Sequence, residues 1–478
     1  MFTSVTRSED LVGNTASWFG STPKRWRVLP ARALFEESKR AGHEDEALLS
    51  VTIGRGVVTQ SEFLSESAKK DSSNLDKSRY KLVEPGDIVY NKMRAWQGAL
   101  GMSLRRGIVS PAYVVMRPKS EPGRFLELLM RTPAFAKEAE RLSYGITSDM
   151  WSLRPEHFKM INFPIAPADE QAAIVKYLGH AHARIDRAIA AKSNLIGLLE
   201  EQRQAIIHEA VTRGLDASVP LKDSGIPWLG EIPAHWATSR LKTLISAGPT
   251  NGTSPQISED GELETFSLSA VRHGVLDVRP GDIKFVSASA VPRQDDYRLR
   301  VGDVLLVRGN GNINLVGRAA EVLEDRPHGI YPDLLIRVRP NAVTDPRFLT
   351  MLINSRVVRQ QIEVAARTAV GTFKISGDVV KNLMLVHPGL SEQVAIVREC
   401  DSRTTSIRGS IDIARREIEL LREFRTRLTS DVVTGQADVR EIAATLPELG
   451  DEGFAGAYSE IDEDESVDSE LELVGAGD

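Results

Sequence analysis

Residues Asp169–Gly214 read DEQAAIVKYLGHAHARIDRAIAAKSNLIGLLEEQRQAIIHEAVTRG, and residues Ser391–Gly435 read SEQVAIVRECDSRTTSIRGSIDIARREIELLREFRTRLTSDVVTG. A shift of 222 residues lays Glu170-Gln171 on Glu392-Gln393 and Ala173-Ile174-Val175 on Ala395-Ile396-Val397. The same shift lays Leu198-Leu199 on Leu420-Leu421, Arg203 on Arg425 and Val211-Thr212 on Val433-Thr434. A period this long is not a solenoid unit. It marks a duplicated half-protein in which each half ends in one long helix. Asp169 and Ser391 are acceptable N-caps, and Gly214 and Gly435 can close the last turn at low steric cost.

Within each copy the apolar residues form a narrow seam. It runs Ile407, Ile411, Ala414, Ile418, Leu421, Arg425, Leu428, Val432 in the second copy, and Ile185, Ile189, Lys192, Ile196, Leu199, Arg203, Ile206, Ala210 in the first. Steps alternate between four and three residues, which is the coiled-coil period. Such a seam on a charged helix needs a partner helix, and the other copy is the simplest one. Each well-buried Ile or Leu would contribute roughly 1.5–3 kcal/mol to that pairing. The alternative is that each helix docks on its own domain. Arg203 and Arg425 interrupt the seam. Either their stems pack while the heads reach water, or they set the register by pairing with a carboxylate on the facing helix.

The rest of the chain falls into place around these helices. Residues 1–20 read as a loose leader, 21–166 as a first globular domain, 167–214 as the first long helix and 215–232 as a Pro- and Gly-rich linker. Residues 233–388 read as a second globular domain, 389–437 as the second long helix and 438–478 as an acidic, disordered tail. In the first domain, strands are expected at Ala47–Ile53, Asp87–Asn91, Gly107–Met116 and Met160–Ile165, with one helix over Arg124–Ser143. In the second they are expected at Leu263–Leu268, Asp303–Arg308, Ala319–Leu323 and Leu334–Val338, with one helix over Pro346–Ala366. This mixture predicts an α+β fold of two similar α/β domains separated by two helices in an antiparallel coiled coil, in a pseudo-two-fold arrangement.

The two domains share a frame. Pro23-Lys24-Arg25-Trp26 is echoed by Pro233-Ala234-His235-Trp236, and Gly86-Asp87-Ile88-Val89 by Gly302-Asp303-Val304-Leu305. Met116-Arg117-Pro118 is echoed by Val338-Arg339-Pro340, and Arg124-Phe125-Leu126 by Arg347-Phe348-Leu349. The segments between these anchors differ strongly; Trp96 has no counterpart. Two related domains that read two different ligands would show this pattern.

Composition narrows the class. The chain has 478 residues, one cysteine, 41% apolar and 26% charged residues, and a net charge of −6. Cys400 alone allows no internal disulfide, and no run of about 20 apolar residues occurs, so a reducing, cytoplasmic setting with no membrane partner is expected. Residues 441–478 hold 13 of the 66 acidic residues and no Lys or Arg, which leaves +7 on residues 1–440. A mildly basic body is compatible with a nucleic-acid partner.

Motifs for catalysis are missing. There is no N-P-P-[FY] or D-P-P-Y motif and no G-x-x-x-x-G-K-[ST] loop. Gly309-Asn310-Gly311-Asn312 lacks the spacing and following helix of a dinucleotide site. His180 and His182 have no nearby cysteine cluster and read as a surface pair rather than metal ligands. Pro332-Asp333 is not followed by Glu-x-Lys, so a nuclease core is not expected. These gaps describe a reader rather than a catalyst.

A duplex reader needs cations for phosphates and planar or amide groups for base edges. In the first domain the candidates are Lys92, Arg94, Trp96 and Gln97, then Arg105 and Arg106, then Tyr144, Thr147 and Ser148. In the second they are Arg308, Asn310, Asn312 and Asn314, followed by Arg367, Thr368, Thr372 and Lys374. A seam from Ile185 to Ala210 would span about 39 Å, close to one DNA turn of roughly 34–36 Å. Such a helical pair suits a bipartite target with a fixed gap.

The doubled Pro-x-x-Trp opening, the Gly-Asp strand entry and the doubled Glu-Gln-x-Ala-Ile-Val helix start together resemble the DNA-specificity subunit of Type I restriction–modification enzymes, over about residues 20–440. The resemblance implies two target-recognition domains spaced by two packed helices, with no catalysis and no cofactor in this chain. It further implies double-stranded DNA as ligand, two modification subunits that methylate adenine using S-adenosylmethionine, and two restriction subunits that use ATP and Mg to translocate and cleave DNA. The acidic tail is not part of the pattern, and the first domain lacks the Gly-Glu-Ile that precedes Pro233. A non-catalytic coiled-coil adaptor whose domains bind proteins is the alternative reading.

Overall fold

The computed structural model describes residues 6–8, 10–13, 17–66, 76–145, 151–226, 229–369 and 372–448. The chain forms two compact units: residues 1–193 with 415–478, and residues 194–414. The expected duplication is present, and each unit holds part of both long helices. These run over Ala168–Arg213, 46 residues, and Leu390–Val433, 44 residues. Both begin one residue before Asp169 and Ser391, which puts these two residues inside the first turn rather than at the cap.

The first unit is built on an antiparallel sheet ordered Leu100–Met102, Ile88–Asn91, Tyr113–Pro118, Phe35–Ser38. Strand alternation sends Ile88, Tyr90, Val114 and Met116 to one face, where Phe125, Leu129 and Phe135 cover them. It sends Val89 and Val115 to the other, against Leu49, Val51, Val83 and Val109. The single strand expected over Gly107–Met116 is two strands, Gly107–Val109 and Tyr113–Pro118, because Ser110-Pro111-Ala112 turns the chain. The single helix expected over Arg124–Ser143 is also two, Gly123–Met130 and Pro133–Arg141. Pro133 cannot donate to a continuing helix, and Thr132 caps the new start by accepting from the Phe135 N–H at 3.2 Å.

The second unit repeats the plan. Its six-stranded sheet is ordered Ile245–Asn251, Leu335–Pro340, Val304–Val307, Ala319–Glu321, Val275–Leu276, Val271–Arg272. The helix expected over Pro346–Ala366 breaks at the same place as its counterpart, into Pro346–Ile353 and Arg356–Ala365. Here no proline is responsible. The Asn354 side chain leaves the helix to hold both the N–H and the C=O of Ala319, at 2.9 Å each.

The shared anchors turn out to be bonded to each other. Asp87 accepts two bonds from Arg117, at 2.9 and 3.1 Å, and Asp303 accepts two from Arg339, at 2.7 and 2.9 Å. Both aspartates are buried. A buried carboxylate needs such a bidentate partner, so the Gly-Asp and Arg-Pro motifs are two halves of one fastening.

In each unit the Pro-x-x-Trp segment sits where the start of one long helix meets the end of the other. A Cβ on Gly435 (φ +75°) would lie 2.4 Å from the Pro23 ring and 3.0 Å from Trp26, and one on Gly214 (φ +77°) would lie 3.4 Å from Trp236. Glu170 accepts two bonds from Arg25, and Glu392 accepts from His235 and from Trp236 Nε1 at 3.0 Å. The segment expected as a loose leader is tied in: Thr6–Arg7 pairs with Ala437–Asp438, Leu11–Val12 pairs with Thr22–Pro23, and Phe19 is buried. The linker is likewise folded back, with Leu221–Asp223 pairing Glu231–Pro233 and Ile226 buried. Of the expected tail, Arg440–Thr445 is helical with Ala443 buried, and Glu448 meets Lys176. Residues 449–478 lie outside the described residues.

The long helices pair antiparallel inside each unit. In the first, Ile174, Tyr177 and Leu178 share a core with Leu428, Val432 and Val433. In the second, Ala210 and Val211 share a core with Ile396 and Cys400. Every expected seam position is buried or half-buried, including Ile196, Leu199, Ile206 and Leu421. Arg425 is the register-setting case: Nη1 meets Asp186 Oδ1 on the facing helix at 2.9 Å, with only 12% of its side chain exposed.

His182 corrects the expected surface pair. It is buried, with Nε2 2.9 Å from Thr429 Oγ1, whereas His180 turns to the Pro447 carbonyl. Burial, reinforced by the charges of Arg425, Arg124 and Arg131, holds the His182 imidazole down at about 3. An unfolded histidine titrates near 6.5, so the unfolded chain binds the extra proton first. Stability contributed here is complete above about pH 6.5 and is lost as pH falls toward 3. The expected loss at pH 5 is about 2 kcal/mol. Urea unfolding at pH 5 and 7.5 checks this: His182→Gln, which can keep the Thr429 bond, should shrink the difference between the two midpoints.

Candidate nucleic-acid interface

The candidate loops leave the sheet at corresponding points. In the first unit, strand Ile88–Asn91 is followed at once by Lys92, whose carbonyl accepts the Leu153 N–H at 2.8 Å. In the second, strand Val304–Val307 is followed at once by Arg308, whose carbonyl accepts the Ile375 N–H at 2.9 Å. One frame therefore presents a cation at the same place twice. In both units this bond draws a second candidate segment beside the first.

In the first unit that second segment is closed by backbone bonds between Tyr144 and Ser152, at 3.4 and 3.1 Å. Tyr144 is exposed and lies against His157, with ring centroids 4.8 Å apart. Gln97 is exposed, and Lys92 and Arg94 are half-buried. Trp96 is not an outward platform. Its ring packs on Trp151 at 5.8 Å, and Nε1 donates to the Met93 carbonyl at 3.0 Å. Lys81, absent from the sequence reading, adds to the local positive potential: burial lowers its pKa, and Lys92 lowers it further as a neighbouring like charge. Thr147 and Ser148 lie outside the described residues.

Arg105 and Arg106 are exposed but already engage acids. Arg105 donates to Glu62 at 2.7 Å and, by that bond first, holds the Glu62 carboxyl down at about 2. Arg106 donates to Glu46 and Glu84, each at 2.7 Å. Each of these charges therefore already has an acidic partner.

In the second unit the two candidate clusters join into one three-stranded sheet. Gly309–Asn310 pairs with Thr372–Lys374, which pairs with Arg367–Ala369. The strand that holds Arg367 and Thr368 thus lies beside the one that holds Thr372 and Lys374, whose other neighbour is Gly309–Asn310. A Cβ on Gly309 would lie 3.0 Å from Lys374 Cγ, so a larger residue would push the lysine stem aside. Beside this sheet runs a groove of about 730 Å³, with Arg308, Lys374, Ser376, Asp378 and Asn382 among its polar lining. Cations with amide and hydroxyl groups along a groove suit a phosphodiester backbone.

The asparagines are not equivalent. Asn310 Oδ1 accepts from the Asn312 N–H, and Asn312 Oδ1 accepts from the Asn314 N–H, each at 2.9 Å. These two side chains shape the loop. Asn314 is exposed and is not used in this way. Arg359 was not singled out from the sequence, where it is one more cation on an amphipathic helix. Its guanidinium bonds the carbonyls of Ile313, Asn314 and Val316.

Among the described residues no group of three or more His, Cys, Asp or Glu side chains could hold a metal ion, and no helix is long and apolar enough to cross a membrane.

No family model matches the chain. It is 27% identical over 338 residues to the Type I restriction enzyme EcoKI specificity subunit of Escherichia coli K12, covering 69% of each chain. It is 25% identical over 336 residues to the Type I restriction enzyme StySPI specificity subunit of Salmonella potsdam, again covering 69% of each. A chain from a solved structure of a Type I restriction–modification system covers 87% of this chain and 99% of its own length, with a TM-score of 0.59 and 16% identity; this likeness concerns the fold. With two curated relatives aligned over two thirds of their length and the doubled domain-and-helix plan in place, the chain is similar to the Type I restriction enzyme specificity subunits.

Proposed function

We propose that this chain, itself non-catalytic, selects the double-stranded DNA on which a Type I restriction–modification complex acts. Each of its two globular domains reads one segment of a bipartite target, and the paired helices set the gap. The observation that carries this reading is the doubled position of Lys92 and Arg308, a cation at the same exit of the same strand, each beside a loop of different chemistry. The cations hold phosphates in both segments, and the unlike loops read different bases.

Two modification subunits, using S-adenosylmethionine, and two restriction subunits, using ATP and Mg, dock on this chain. Support for docking comes from apolar side chains that point away from the seam into solvent. Leu195 and Leu198 do so on the first long helix, and Ile413 and Leu420 on the second. Leu198 and Leu420 occupy the same position in the repeat.

Co-expression with the cognate modification subunit, followed by mapping of methylated adenines, should return one bipartite sequence. A protein-binding adaptor would return none. Combining Lys92→Ala with Arg308→Ala should weaken binding to every duplex and flatten the dependence of log affinity on log salt by about two units. The order of preference among sequences should stay as it is in the parent. Loss of preference with an unchanged salt slope would move both residues from phosphate to base contact.

A further inference from the structure

We propose that Arg359 is a positioning residue for base reading by the second domain, acting through Asn314. The inference rests on the DNA-reading function proposed above. The loop after Arg308 is a run of tight turns: Leu315 N–H to Asn312 C=O at 3.1 Å, Val316 to Ile313 at 3.2 Å, and Arg318 to Leu315 at 3.2 Å. The Ile313 carbonyl already accepts within this run, whereas those of Asn314 and Val316 accept no bond within it and call for other donors. Arg359, on helix Arg356–Ala365, supplies them. Nη1 bonds the Val316 carbonyl, and Nη2 bonds those of Ile313 at 3.2 Å and Asn314 at 3.3 Å.

The loop has little freedom otherwise. Gly317 (φ +76°) lies flat on the same helix, where a Cβ would meet Ile362 Cδ1 at 2.6 Å, and its N–H bonds the Val307 carbonyl at 2.7 Å. The loop start is held by the side chains of Asn310 and Asn312, so their Oδ1 atoms already carry internal bonds. Asn314 is then the exposed amide whose own carbonyl Arg359 fixes. A side-chain amide held at a set angle can donate to adenine N7 and accept from N6 at once. Only a planar fork reaches three carbonyls together; a lysine ammonium would hold some of them and let the loop rock. In the first domain the corresponding loop instead ends in a 3-10 turn, Ala95–Gln97, closed by Gly98.

The test compares wild type, Arg359→Lys, Arg359→Ala and Asn314→Ala in the assembled methyltransferase, measuring discrimination at each base pair of both target segments. Asn314→Ala should lower discrimination about 10-fold or more at one or two base pairs of one segment. Arg359→Lys should relax the same base pairs and leave the other segment and the salt slope at wild-type values. Arg359→Ala should do so more strongly. Full discrimination retained by Arg359→Lys overturns the inference. So does equal loss in both segments accompanied by a lowered melting temperature, since that is the signature of a merely structural role. If wild type itself selects no sequence, it is the DNA-reading function that falls.

Discussion

Inserting one heptad in each long helix, between Leu199 and Glu200 and between Ile411 and Asp412, is expected to abolish tight binding to the native target while the bases read in each segment stay the same. Residue pairs across the helices keep a constant sum: His182 with Thr429, and Asp186 with Arg425. The two insertion points obey the same sum, so the seam stays in register. Seven residues add about 10.5 Å of helix, roughly the rise of three base pairs. With one segment engaged, the other is out of reach, and affinity should drop on the order of 100-fold or more, since each lost base pair costs about 1–3 kcal/mol. Selection from duplexes with randomised gaps should return the original two segments at a longer spacing. Altered segments at the original spacing would mean that the helices read bases and the domains do not.

The second large effect concerns the Glu-Gln pair that opens each long helix. Gln393→Ala is expected to lower the stability of its unit by about 3–5 kcal/mol. The Gln393 side chain has no exposed surface and satisfies three backbone groups. Its Nε2 donates to the carbonyls of Val343 at 3.0 Å and Pro388 at 2.9 Å, and its Oε1 accepts from the Asp345 N–H at 2.8 Å. Deleting the amide leaves all three without a partner, at about 1–3 kcal/mol each, with partial relaxation. Gln171→Ala should cost less. There the Nε2 bonds the Ala166 carbonyl and the Glu121 carboxylate, and the carboxylate can turn to other donors such as Arg27. Denaturant melts followed by fluorescence, with Trp236 beside the affected helix start and Trp26 beside the other, would rank the two. Equal costs would show that the Asp345 bond contributes nothing.

The repeat made the architecture legible before any coordinates. Steps of four and three residues are most simply satisfied by a second helix with the same period, and the seam from Ile185 to Ala210 and from Ile407 to Val432, buried or half-buried throughout, agrees with that. Strand entries at Gly-Asp were also readable, because a turn before an apolar run has a local signature. What stayed hidden was which side chain each anchor would meet. Asp87 and Arg117 are thirty residues apart, and nothing local says that they form one fastening. The helix breaks after Met130 and Ile353 were missed for different reasons. One has a proline that was passed over, whereas the other depends on Asn354 reaching a strand edge thirty-five residues away.

The candidate interface divides along the same line. Lys92 and Arg308 could be proposed from their place after a strand, which is a property of the local chain. Whether a given arginine keeps its charge available could not be, and Arg105 and Arg106 show why: their neutralising partners Glu62, Glu46 and Glu84 lie twenty-two to sixty residues away. Residue types and their period carried the class of protein, the doubled plan and the helix pairing, because hydrophobic periodicity and turn chemistry act over a few residues. Folding in three dimensions decided which cations meet acids, which asparagine side chains bond within their own loop and which carbonyls Arg359 bonds. Those outcomes depend on Coulomb and hydrogen-bond partners that come together only after distant segments have packed.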